Sequence, residues 1–149
     1  MNKGALRASF HRSKMRLTRQ RLAIYRELAG RYDHPDVDTL YRAVKPRNPR
    51  ISLFTVYRTM NALEDTGMVW RVATFKGHAR YDGNVEMHAH FLCESCGKID
   101  DVDTHGACHG LQEQARGCVP GHEVRRVDVM IGGACSACLK ARESASKQA

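Results

Sequence analysis

Nowhere in the 149 residues do about 18 apolar residues follow one another, so the sequence offers no membrane-spanning helix. The N-terminal stretch lacks the apolar core of a secretory signal, and neither a lipidation motif nor a basic amphipathic helix is visible. These absences lead us to expect a cytoplasmic protein without a membrane partner. Acidic residues are missing altogether from residues 1–21. That pattern superficially suits an organellar transit peptide, but Arg19, Gln20 and Arg21 fall inside a helical pattern, and Met1 to Arg16 reads as a basic arm. There is no internal repeat beyond a doubled Cys-x-x-Cys. With 42% hydrophobic and 27% charged residues, the composition suits one folded domain or two small ones.

Charge is unevenly placed. Residues 1–82 carry 17 Lys+Arg against 7 Asp+Glu, whereas residues 83–149 carry 7 against 9. The two halves therefore meet different partners, and the basic half presents a field suited to a polyanion.

Helix signals dominate the first 70 residues. Thr18 can cap a helix over Arg19 to Ala29 that stops at Gly30, and Asp36 can cap a second over Val37 to Val44. Lys45 to Arg50, with two prolines and three basic residues, reads as a loop. Ser52 caps a third helix, in which Leu53, Val56, Met60 and Leu63 form one stripe and which Gly67 ends. Met68 to Thr74 and His78 to Asp82 read as strands joined across Lys76-Gly77. Three short helices followed by a hairpin predict a winged helix-turn-helix over residues 1–83. Asn84 to Met87 reads as a hinge. Residues 88–149 form an α/β domain with strands over His90–Leu92, Lys98–Val102 and Glu123–Ile131, a helix near Gly110–Arg116, and a frayed tail from Glu143 to Ala149. The fold class is α+β.

Six cysteines in a chain without a secretory signal point to metal rather than disulfides. Cys93-Glu-Ser-Cys96 and Cys135-Ser-Ala-Cys138 are two knuckles whose four thiolates close a tetrahedral shell, predicting structural zinc with no open position for a substrate. Cys108 and Cys118 lack this spacing and read as lone thiols. His88-Ala89-His90 on a strand puts two imidazoles on one face. Asp82, Asp101 and His34 are the neighbours that could join them in a harder donor set suited to iron(II), manganese(II) or zinc(II).

In the third helix Thr55, Tyr57, Arg58 and Asn61 lie off the buried stripe and are candidates for DNA contact. Arg58 can fork onto guanine or phosphate, and Tyr57 can pack on a thymine methyl. Arg19, Arg21 and Arg50 suit phosphate contacts, and the arm around Lys14 and Arg16 suits a minor groove.

Seven motifs, spanning Leu17 to Cys138, resemble the ferric uptake regulator family of bacterial metal-dependent repressors. They are Leu17-Thr18-Arg19-Gln20-Arg21, His34-Pro35, Thr55-Val56-Tyr57-Arg58, Arg80-Tyr81-Asp82, His88-Ala89-His90, Cys93-Glu-Ser-Cys96-Gly97-Lys98 and Cys135-x-x-Cys138. The resemblance implies a homodimer that reads an inverted-repeat, AT-rich operator in double-stranded DNA and dimerises through its C-terminal domain. It also implies a regulatory site of His34, Asp82, His88, His90 and Asp101 that couples metal binding to operator binding. Aspartates at both carboxylate positions resemble the peroxide-responsive branch, in which iron(II) and hydrogen peroxide oxidise a ligand histidine, here His34 or His88. A further site found in many iron sensors is not expected, because Met87 and Ala89 flank the histidines.

An iron-responsive repressor of iron-uptake genes is the alternative, and a zinc sensor is disfavoured because neither Cys108 nor Cys118 aligns with the regulatory site. An enzyme built on His34, Asp82, His88 and His90 would need open coordination positions and a small-molecule substrate pocket, and the sequence supplies no sign of the latter.

Overall fold

The computed structural model describes Phe10, residues 16–108 and residues 110–146. The chain divides into two compact units, Met1–Val85 and Glu86–Ala149.

In the first unit each helix starts where a side chain satisfies an orphan backbone donor. Extended Thr18 accepts from the Arg21 N–H at 3.2 Å and opens α1 (Arg19–Ala29). Asp36 accepts from the Thr39 N–H at 2.7 Å ahead of α2 (Val37–Val44), and Ser52 accepts from the Thr55 N–H at 3.1 Å ahead of α3 (Leu53–Asp65). Between α2 and α3 the chain makes a 3-10 turn over Lys45–Arg47, where the sequence suggested only loop. Asn48 and Lys45 tie this segment down by donating to the Val44 and Ile51 carbonyls.

The apolar faces of the helices converge on one core. Ile24, Leu28, Leu40, Val56, Met60 and Leu63 are all fully buried there. Removing one such Leu or Ile side chain costs about 2–5 kcal/mol. Phe10 belongs to this core too, buried and edge-to-face on Tyr25 with ring centroids 5.8 Å apart. The expected basic arm is therefore interrupted by a core anchor, and apart from Phe10 and Arg16 the rest of that arm, Lys14 included, lies outside the described residues.

Two strands complete the unit, β1 (Trp70–Phe75) and β2 (His78–Asp82), antiparallel and bulged between Arg71 and Ala73. Lys76 and Gly77 both have positive φ, 48° and 82°, as a two-residue hairpin turn requires. Met68 and Val69, expected at the head of the strand, precede it. The Met68 N–H is taken by the Leu63 carbonyl at 2.9 Å and the Gly67 N–H by Glu64, a hydrogen-bonded helix end that absorbs the first residue of the apolar run.

The second unit holds a three-stranded sheet in the order β4-β3-β5. Strand β3 (Ala89–Cys93) pairs antiparallel with β4 (Ile99–Val102) and parallel with β5 (Val129–Gly133). The crossover that a parallel pair demands contains α4 (Leu111–Cys118). The strand expected over Glu123–Ile131 begins only at Val129. Upstream, the Arg125 carbonyl accepts from the Gln112 side chain, so that backbone serves the α4 loop rather than a ladder. A final helix, α5 (Ser136–Ser146), replaces most of the expected frayed tail. It starts inside the second knuckle, with the Leu139 N–H bonded to the Cys135 carbonyl, and Arg142 ties it back to Ser95 at 2.6 Å. Among the described residues no helix is long and apolar enough to cross a membrane.

Candidate metal centres and nucleic-acid interface

The parallel register sets Cys93, the last residue of β3, beside Gly133, the last residue of β5, and so brings the two knuckles together. Cys93 lies 3.8 Å from Cys138, and Cys96 lies 3.8 Å from Cys135, measured between sulfurs. All four Sγ atoms fall within 4.8 Å of one another. A tetrahedron of Zn–S bonds of about 2.3 Å has edges of about 3.8 Å, whereas a disulfide needs about 2.05 Å. The donor set and its spacing therefore fit a closed tetrathiolate zinc site.

The thiols are electrostatically unlike. The Cys135 N–H, 3.3 Å from the Cys93 sulfur, and the backbone N–H groups of Cys96 and Ser95 favour its anion and lower its pKa to about 6. Hydrogen bonding among the sulfurs, with Cys135 first and then Cys96 and Cys93, pushes Cys138 up to about 12. One thiolate is thus ready at neutral pH, and the last proton must be displaced by the cation.

A harder donor group is formed by His88, which precedes β3 rather than lying on it as expected, His90 on β3 and Asp101 on β4. His90 stands directly opposite Asp101 in the ladder, and the His88 and His90 rings are 4.3 Å apart. The Nε2 atoms of His88 and His90 approach the same Asp101 oxygen, at 3.4 Å and 3.7 Å. His88 Nδ1 lies 2.8 Å from the Glu86 carbonyl, which can only accept, so the proton sits on Nδ1 and the Nε2 lone pair is left for a cation.

The first unit carries a matching pair. His34 Nε2 is 3.7 Å from Asp82 Oδ2, with both side chains buried, and the other Asp82 oxygen accepts from the Asn84 N–H at 2.7 Å. His34 holds a left-handed backbone, φ 48°, immediately before Pro35, a combination that a non-glycine residue keeps only when its surroundings enforce it. Arg80 enforces it. Its guanidinium donates to the His34 carbonyl through Nε and to the Asp33 carbonyl through Nη2 at 2.8 Å, while the Tyr81 N–H donates to the Pro35 carbonyl at 3.1 Å. Gly83, next to Asp82, lies so close to α1 that a Cβ would sit 3.0 Å from the Ala29 Cα. Neither Arg80 nor Gly83 has a local signature that singles it out as a positioning residue; their partners are distant in sequence.

The remaining candidates lie on the basic first unit. Tyr57, Arg58 and Asn61 are exposed on α3, on the side away from Val56, Met60 and Leu63. Thr55 is half-buried, its hydroxyl 2.8 Å from the Ser52 hydroxyl and so drawn into the helix cap. Arg16, Arg19 and Arg50 are exposed, and Arg21, half-exposed, donates to the Arg16 carbonyl at 2.8 Å. Phe54, which the stripe did not single out, is 68% exposed on the same helix.

Residues 12–123 match the Ferric uptake regulator family. The chain belongs to that family. A curated relative, the peroxide-responsive repressor PerR of Staphylococcus epidermidis, is 35% identical over 131 residues, which cover 88% of this chain and 86% of the relative. The crystal structure of the Campylobacter jejuni peroxide stress regulator is 30% identical, with a TM-score of 0.69 over 93% of this chain and 100% of the other. A zinc-bound manganese uptake regulator, also 30% identical, superposes with a TM-score of 0.60 over 85% and 97%. As a member of the ferric uptake regulator family, the chain has the family's α+β architecture and belongs with metal-responsive regulators.

Proposed function

We propose that this protein is a homodimeric repressor that releases its operator when hydrogen peroxide oxidises a histidine of an iron(II) site. The observation that carries this reading is the donor group of His88, His90 and Asp101, two imidazoles and one carboxylate with the His88 tautomer fixed by Glu86. Three such donors leave a first-row cation undersaturated, and the buried His34–Asp82 pair offers two more of the same kind. In this proposal His34, Asp82, His88, His90 and Asp101 share one regulatory ion, iron(II) or manganese(II), and Cys93, Cys96, Cys135 and Cys138 hold structural zinc. Residues 1–83 act as the reader, 84–87 as the hinge and 88–149 as the dimerisation domain. Metal binding then biases the hinge toward the reader spacing that fits an inverted repeat.

Iron(II), when bound, supplies the redox chemistry that splits peroxide. The imidazole of His34 or His88 takes one oxygen atom into a ring C–H bond, the ring loses two electrons, and the second peroxide oxygen leaves as water. A ring oxidised in this way ligates poorly. The two aspartates and the peroxide-responsive relatives support this branch over direct iron sensing.

Operator reading rests on Tyr57, Arg58, Asn61 and Thr55 for base edges, with Arg16, Arg19, Arg21 and Arg50 on phosphates. Dimerisation is supported by what the second unit leaves uncovered. Helices α4 and α5 bury no residue, and Met130 and Ile131 on the edge strand β5, Val119 at the end of α4 and Leu139 on α5 are each 39–48% exposed.

The test uses anaerobic zinc-loaded protein carrying iron(II) or manganese(II), a duplex that the manganese form selects from a random pool, and a small excess of peroxide. One added oxygen on the His34 or His88 peptide, in the iron form alone and together with loss of duplex binding, is expected. Unmodified histidines with binding that tracks iron(II) would instead establish an iron-responsive repressor.

A further inference from the structure

The exposed side of α3 carries Phe54, Tyr57, Arg58 and Asn61, spaced by three and four so that they share one face, with Asp65 exposed at its far end. Phe54 is the anomaly among them. It lies in the first turn, where a reading helix meets base edges, and at 68% exposure it contributes nothing to the core on the other side of the helix. With Tyr57, itself 42% exposed and three residues along, it forms an aromatic pair on the face of the helix that the core does not use.

The second observation is what stands over the ring. The Arg58 guanidinium, one turn along, lies 5.8 Å from the Phe54 ring centroid, within cation–π range. A guanidinium held over the ring has fewer rotamers open to it, so the contact biases where the Arg58 fork points. The apolar group that a major groove offers to such a ring is the thymine C5-methyl, and the group it offers to the fork is the guanine O6/N7 pair.

We infer that Phe54 is a specificity-determining residue of the operator reader. Its ring packs on a thymine methyl in each half-site and steers Arg58 onto a nearby guanine. This inference rests on the DNA-reading role proposed above and deepens it.

Full-length, manganese-loaded protein would first select duplexes from a random pool. Each thymine of the selected site would then be replaced singly by deoxyuridine, which removes only the methyl. Wild-type protein is expected to bind about three- to fivefold more weakly at one position per half-site. Phe54→Ala should show no loss there, and its own selected pool should carry no thymine preference at that position. Phe54→Leu should keep the methyl sensitivity while accepting bases other than guanine beside it, because the leucine packs but does not hold Arg58. An unchanged deoxyuridine penalty in Phe54→Ala, with the wild-type thymine still selected, overturns the inference alone. A wild-type protein that enriches no duplex overturns the DNA-reading proposal and this inference with it.

Discussion

At the scale of single residues, Arg80 is the side chain on which the buried histidine depends. It holds two consecutive carbonyls of the turn that bears His34, and it sits two residues from Asp82 on β2, so both donors are anchored to one strand. Arg80→Ala should leave the core intact and weaken manganese(II) binding at the proposed regulatory site by about tenfold, with zinc content unchanged. Calorimetric titration of the zinc-loaded protein checks this, and unaltered affinity would show that Pro35 and Tyr81 suffice to hold the turn. Gly83→Ala tests the same region from the other side. Its methyl meets the backbone of Ala29, which has nowhere flexible to move, so a loss of about 1–3 kcal/mol in urea unfolding is expected. The candidate donors could be picked out in the sequence, because imidazole and carboxylate advertise their chemistry by type and by alternate spacing. The positioning role of Arg80 could not, since its partners lie some 46 residues away and the Arg80-Tyr81-Asp82 motif does not say what its arginine holds.

At the scale of elements, the helices of the first unit were readable because each begins with its own cap and shows its own stripe. Asp36 makes the cap quantitative. Burial raises its pKa, but hydrogen bonds from the Thr39 hydroxyl and N–H outweigh that, and the net shift is downward. A lowered folded-state pKa means that the carboxylate form stabilises the fold. Its contribution is present above the ordinary carboxylate pKa and is lost as pH falls through the lower folded value. Asp36→Ala should therefore cost about 1 kcal/mol at pH 7 and progressively less below about pH 4, measured as the difference between variant and wild-type urea midpoints. The elements misjudged from sequence are those whose limits are set by distant chain. Strand β5 starts where β3 can pair with it, not where the apolar pattern starts, and α5 grows out of a cysteine knuckle that spacing alone marks as a turn.

At the scale of the whole molecule, the basic first unit has a conventional apolar core, whereas the second unit has few buried side chains among the described residues beyond Ala89, His90, Cys93, Ile99 and Cys108. Its stability should accordingly depend on the four thiolates and on a second copy. Cys96→Ser is expected to abolish cooperative unfolding of the second unit and with it dimerisation, while the helical signal of the first unit persists; sedimentation and circular dichroism report the two separately. Ile131→Asp should shift the protein toward monomer at micromolar concentration with zinc still bound. The parallel pairing of β3 with β5 has one more consequence, and it concerns folding rate. Those strands are 40 residues apart in sequence, and closing a loop of that length costs about 3 kcal/mol of chain entropy before any ladder bond repays it. The two knuckles lie at the closing end of that loop, so a cation caught by the first can tether the second and turn a long-range search into local zippering. Refolding of the second unit should therefore accelerate with zinc concentration, whereas the first unit, built from neighbouring helices and a hairpin, should fold at a rate indifferent to metal.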